Sequence, residues 1–303
     1  MFHLIAAVAG WALAMVCVTS AVAQGADVRP VEVEAVGNRA AKTSVAIRLP
    51  KEDTVSYKGI ANFDGAGAGA FSMLYPVPNA AGLLVAVLTH AVIAESAQSR
   101  QRRELQEAAD RVLVPYRSTL TGVTHKELVT RALRHSTSSD VHMIVDMPVG
   151  SDASFVVDPA LIFYMTQDQR ALVLHAVFAI SGRDAQPRDP SNHAVRVVGR
   201  PRELADARAF WTADHGEKLR HESTLLLAHA LDLALSEVRS PAGNREGREM
   251  TFRYLEGVVE KMERARLVSE MCDRAVIRTL RGELMSVPLR AAAAAAGACE
   301  HSP

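Results

Sequence analysis

The chain has 303 residues, 34 basic and 34 acidic side chains, and 49% hydrophobic residues. That length is ample for one well-packed core or two small ones. The balanced charge excludes a general nucleic-acid binder, because phosphate recognition needs a clustered excess of Lys and Arg, and it points to no partner of either sign.

The first stretch, Phe2 to Ala23, contains no Asp, Glu, Lys or Arg and ends in Ala21-Val22-Ala23 before Gln24. Small residues at both positions that an export peptidase reads make it a secretory signal (1–23) cleaved after Ala23. Its positive start is reduced to the amino terminus and His3. The alternative is therefore an uncleaved anchor, since ~20 apolar residues just span a bilayer. Cys17 follows Val16, where lipidation wants a small residue, so it belongs to the apolar region. Removing the signal leaves Cys272 and Cys299. An oxidising compartment permits a disulfide between them, which would contribute about 3 to 4 kcal/mol on the chain-entropy model.

The remainder divides into a main α/β domain (24–239), a C-terminal strand and helix extension packed on it (240–290) and an alanine-rich tail (291–303). Thr43 to Leu49 alternates as a first strand stopped by Pro50, and Val55 to Phe63 makes a second. Asp64-Gly-Ala-Gly-Ala-Gly-Ala70 tempts a phosphate-binding reading. No helix starts where the phosphate would sit and no Lys follows, so the segment reads as a hairpin loop. Ala80 to Pro115 has helical spacing, apolar at first and then amphipathic through Leu105, Ala108, Val112 and Leu113, with Pro115 as its end. Arg100/Glu104 and Arg103/Glu107 are spaced as ion pairs on its solvated face.

Thr124-His-Lys-Glu127 has the form of a capping box and opens a short helix. Val141 to Met147 alternates as a strand. Phe155 to Val157, Ala160 to Met165 and Ala171 to Ile180 follow as further strands, the last apolar on both faces and therefore central. Gln167-Asp-Gln169 is the turn of an antiparallel hairpin. After a strand at His193 to Val198, Pro201 fits the first turn of a helix reaching Phe210, and Trp211 to Gly216 marks a break. Glu217 to Val238 is the second long helix, buried through Leu227, Leu231, Ala234, Leu235 and Val238. Met250 to Leu255 reads as a strand; Val258 to Cys272 fits helical spacing, with Arg266-Leu-Val268 open to an extended reading. Ala275 to Leu280 and Glu283 to Val287 form a hairpin around Gly282. The fold class is α/β of the α+β type: a mixed or largely antiparallel sheet packed against two long helices.

Chemistry is sparse. His221 and His229 lie eight residues apart on one helix, ~12 Å along its axis, too far to share a zinc ion. His229 and Asp232 are spaced to hydrogen-bond each other. His90 and His175 sit among apolar neighbours and mark a polar pocket if both point inward. No serine elbow and no Ser-x-x-Lys occurs, and neither mature cysteine has a His nearby in sequence, so no catalytic residue, metal ligand or cofactor is assigned. Phe210-Trp211 reads as an aromatic plug on the core, or as a contact site for a partner. The expectation is an exported cell-envelope protein, periplasmic or secreted, acting as a non-catalytic protein-binding or assembly module. Another envelope protein would be its partner, with no nucleic acid and no integral membrane domain. The alternative is a periplasmic hydrolase whose site assembles from distant residues, with His90, His175 or His229 as its base.

Overall fold

The computed structural model describes residues 44–62, 97–138, 142–145, 153–182, 190–239, 248–271 and 273–289, with the backbone alone at 97–99 and 142–145. They fall in one unit, Ala41–Pro303. The leader, the Gly-rich loop, the apolar run 80–94, His90, Cys272 and Cys299 lie outside the described residues. The chain is of the α+β class, with a mixed sheet packed against helices.

Among the described residues ten strands form the sheet: β1 (Ser44–Ile47), β2 (Ser56–Gly59), β3 (His142–Val145), β4 (Phe155–Met165), β5 (Leu172–Gly182), β6 (Ser191–Val198), β7 (Glu249–Glu256), β8 (Val259–Met271), β9 (Arg274–Thr279) and β10 (Leu284–Pro288). Nine of them run in the order β3-β1-β4-β5-β6-β10-β9-β8-β7, and β2 joins β4 beside β1. The centre is an antiparallel meander, β4-β5-β6; β10 enters parallel to β6 and starts a second meander through β9, β8 and β7. The helices are α1 (Ala97–Asp110), α2 (Arg117–Leu120), α3 (His125–His135) and α4 (Ala207–Arg239), with a 3-10 stretch at Arg111–Tyr116. No helix among the described residues is long and apolar enough to cross a membrane.

Alternation along β5 decides the layering. Leu172, Leu174, Ala176, Phe178 and Ile180 face a large core shared with α3, α4 and the 3-10 stretch, where Trp211, Leu227 and Leu231 are buried. Val173 faces the other way into a second core with Ile162, Tyr164, Val198, Ile277, Met285 and Val287, over which Phe252, Tyr254 and Ala265 of the β7–β8 hairpin close. The sheet thus curls until its terminal hairpin covers its own concave face.

Several boundaries differ from expectation, each for a local reason. Pro159 lies inside one continuous strand, β4, instead of separating two. On the edge facing away from β5, β1 pairs with residues 155–157 and β2 with 162–165, so Pro159 occupies the gap between them, where a missing N–H costs little. The helix expected to run to Pro115 leaves α geometry at Asp110 and tightens into the 3-10 stretch, which holds Pro115 inside it. Ala109, not Ala108, is the buried alanine there. Pro201 starts no helix. Asp206 caps α4, its carboxylate accepting from the Ala209 N–H at 2.9 Å. The expected break is present: Asp214, His215 and Gly216 all have positive φ, and a Cβ on Gly216 would come 1.9 Å from the Thr119 methyl. The segment expected to be helical after Val258 is the 13-residue strand β8. Its Glu, Lys, Arg and Met favour helix, but pairing with β7 and β9 overrides that propensity. Thr124 caps α3 as the box requires, accepting from the Glu127 N–H at 3.1 Å; the Glu127 carboxylate pairs with Arg131 instead.

Candidate functional site

Among the described residues, three polar clusters and one exposed surface are the places where this fold could act. The first cluster lies beneath the β7–β8 hairpin. Arg196 on β6 stands in register with His175 on β5 and Met285 on β10, and its guanidinium donates to the Glu256 carboxylate at the end of β7. Glu256 is 4% exposed. The ring of Tyr164 lies 4.9 Å from that of His175. Burial, and next the Arg196 charge, hold the His175 imidazole well below its ordinary value, so it is neutral at pH 7. Burial raises the Glu283 carboxyl while Arg196 opposes the rise. Burial also pushes the Tyr164 and Tyr254 phenols up to about 12. A guanidinium that never gives up its proton, beside an imidazole that does not take one, makes a charge-holding cluster and a poor proton relay.

The second cluster joins α4 to β10. His229 Nε2 lies 2.8 Å from Ser286 Oγ, which also accepts from Arg274 Nε at 3.0 Å. Arg274 further donates to the carbonyls of Val198 at 2.7 Å and Ser286 at 3.0 Å. The expected bond between His229 and Asp232 is absent. Asp232 instead accepts from the Ser136, Thr137 and Ser138 hydroxyls and the Thr137 N–H, at 2.5 to 3.1 Å, and so binds the segment that leaves α3. A serine beside a histidine invites a nucleophile reading. Ser286 is fully buried, however, and no substrate carbonyl can reach its Oγ. Burial, followed by the Arg274 charge, lowers His229 to about 4, too weak a base to activate a hydroxyl.

The third is a cleft of about 280 Å3 between α3 and α4, lined by Arg131, Arg134, His135, Glu217, His221 and Thr224. The His135 and His221 rings meet edge-on at 5.8 Å. Arg131 is committed to Glu217 at 2.5 Å and Glu127 at 3.1 Å. A shallower depression adjoins it, adding Asp53, Lys126 and Glu127, so three cations face three anions along the whole groove. Such a surface selects neither sign of ligand. Among the described residues no group of three or more His, Cys, Asp or Glu could hold a metal ion.

Of the residues singled out from sequence, His175 belongs to the first cluster and His229 to the second, on opposite faces of the sheet; the structure does not bring them together. His90, Cys272 and Cys299 fall outside the described residues, as does any pocket that His90 would share. Trp211 is buried and donates from Nε1 to the Gln169 carbonyl at 2.7 Å, so Phe210-Trp211 is the aromatic plug on the core. Sequence reasoning missed Arg196, Glu256 and Glu283. One signal was there: Arg196 interrupts the apolar alternation of a strand that continues Val195, Val197, Val198.

The exposed surface is the hairpin itself. Of nine large apolar side chains exposed among the described residues, six are on it: Met250, Val258, Val259, Met262, Leu267 and Met271. Met262 is 60% exposed, next to Arg253 in the ladder.

No protein-family model matches the sequence, and no curated protein does. One solved structure, described only as that of an uncharacterized protein, aligns over 64% of this chain and 92% of its own at 11% identity, with a TM-score of 0.23. A likeness that low carries no argument about fold or function.

Proposed function

We propose that this protein is a non-catalytic envelope module that binds or helps assemble another protein, with the exposed side chains of the β7–β8 hairpin as its contact. The observation that supports the reading is the concentration of exposed apolar side chains on that hairpin, while the α3–α4 cleft is charge-balanced and polar. Solvent-facing methionines suit such a surface, since an unbranched thioether adapts to a partner at low conformational cost. The leader supports export, with cleavage after Ala23 delivering the module to the periplasm or the outside. The hydrolase alternative gains no support from His175 or His229, which are both half-buried and held neutral.

The test is site-specific photocrosslinking in the producing cell. A photoreactive residue at Met262 should give one discrete protein adduct in the envelope fraction, and the same residue at Leu225 of α4 should give none. Equal adducts at both positions, or none at either, would reject the reading.

A further inference from the structure

We propose that residues 251–264 of the β7–β8 hairpin form a strap that opens and closes over the concave face of the sheet as a unit. It is hinged where β8 parts from β9 and latched at its tip by Asp168 and by the Arg196–Glu256 pair. The ladder shows where the strap begins. From Ala265 onward β8 pairs with β9, whereas residues 259–264 pair with β7 alone. The register shifts between Leu267 and Ser269, just inside that ladder, and an irregularity of that kind bends the strand shortly before it parts from β9 at Ala265. Outside the hinge the strap is a two-stranded ribbon, and such a ribbon is marginal in water unless something holds it down.

What holds it is small in extent and concentrated at the tip. Phe252 and Tyr254 are the strap's contributions to the second core. At the turn, the Val258 N–H donates to Asp168 Oδ2 at 2.5 Å, and Asp168 Oδ1 is fixed by the Thr166 hydroxyl at 2.5 Å and the Arg170 N–H at 3.0 Å. Gly257 comes so close that a Cβ there would stand 2.5 Å from both carboxylate oxygens. One residue back, Glu256 reaches Arg196. Separating a buried pair without letting water in leaves two uncompensated charges. The tip therefore lifts with its whole ribbon or stays down, which makes the motion two-state. Lifting it uncovers Ile162, Tyr164, Val173, Val198 and Met285, an apolar concavity with the Arg196 guanidinium in its midst.

Native-state amide hydrogen exchange on the full chain, in denaturant well below the unfolding midpoint, tests this. Amides of 251–264 should exchange together, at least about tenfold faster than those of β5. Glu256→Gln and Asp168→Asn should each speed the strap by a further tenfold or so while leaving β5 unchanged. Strap amides exchanging at the β5 rate in the wild-type protein would overturn the proposal, and so would a variant that speeds both regions alike. Should either variant fail to fold, the wild-type ratio still decides.

Discussion

The two faces of the sheet are covered by different means. Over the face that meets α3 and α4, bulky side chains do the covering: Trp211, Phe163, Phe178, Leu227 and Leu231 are all at or below 1% exposure. Polar groups on that side close on each other, as Ser286 does on His229 and Arg274. The helices satisfy their own backbone and need only an apolar stripe to dock. Over the concave face a thin ribbon does the covering, and a ribbon offers few large side chains. It is pinned instead by carboxylates, Glu256 on Arg196 and Asp168 on the Val258 N–H. Bulk gives one face its stability, and charge gives the other its register.

Single substitutions at the anchor that characterises each face should break that contrast most strongly. Trp211→Ala should cost about 3 to 5 kcal/mol in urea denaturation, through the cavity and through the loss of the donor to the Gln169 carbonyl. On the other face, Arg196→Met alone should cost a similar amount, about 3 to 5 kcal/mol, because it strands the Glu256 carboxylate. The double variant Arg196→Met/Glu256→Leu should recover most of that loss, since a well-packed apolar pair often replaces a buried ion pair at little cost. No second substitution can rescue Trp211→Ala in this way. A single Arg196→Met as mild as the double would mean that water already reaches the cluster, and the contrast between the faces would fall.

Acid probes both faces at once. His229 titrates at about 4 in the folded chain against about 6.5 when unfolded, so between those values the unfolded state holds the extra proton. Stability present above pH ~6.5 should therefore fall as pH drops toward 4, by about 3 kcal/mol from this residue. His175 shifts in the same direction and deepens the loss. Glu283 works oppositely: its raised folded value adds stability below about 4.5 that disappears as pH rises through that folded value. His229→Asn should flatten the slope between pH 6.5 and 4. An unchanged slope would show that His175 carries it alone.

Local rules read from sequence located what depends on neighbours in the chain. Thr124 before Glu127, the turn at Gln167 to Gln169, Gly282 between two strands and the break before Glu217 all appear where spacing puts them. The two-faced burial of β5 was also legible, because alternation of apolar residues on both sides has one common explanation. What escaped depends on distant partners. β8 carries a helix-favouring composition and becomes a strand because β7 and β9 offer it two ladders. Pro159 is tolerated because of where β1 ends and β2 begins. Asp232 lies three residues from His229, yet its partners are 94 to 96 residues away. Arg196 and Glu256 meet only because the sheet curls, and nothing in the spacing of either residue announces the other.

The smallest expected effect separates binding from folding. Met262 is mostly in solvent and its ladder neighbour is the exposed Arg253, so Met262→Gln should change stability by no more than about 0.5 kcal/mol. Leu225→Gln on α4, exposed on the helix side of the molecule, should be comparably mild. The two should differ in cells. A photoreactive residue at Arg253, which pairs with Met262 across the ladder and shares its face, should lose its envelope adduct in the Met262→Gln background and keep it in the Leu225→Gln background. A face held by bulk has little to offer a partner once its stripe is buried. A ribbon held by charge leaves Met262 in solvent, and the loss of an adduct without a loss of stability is the signature of that arrangement.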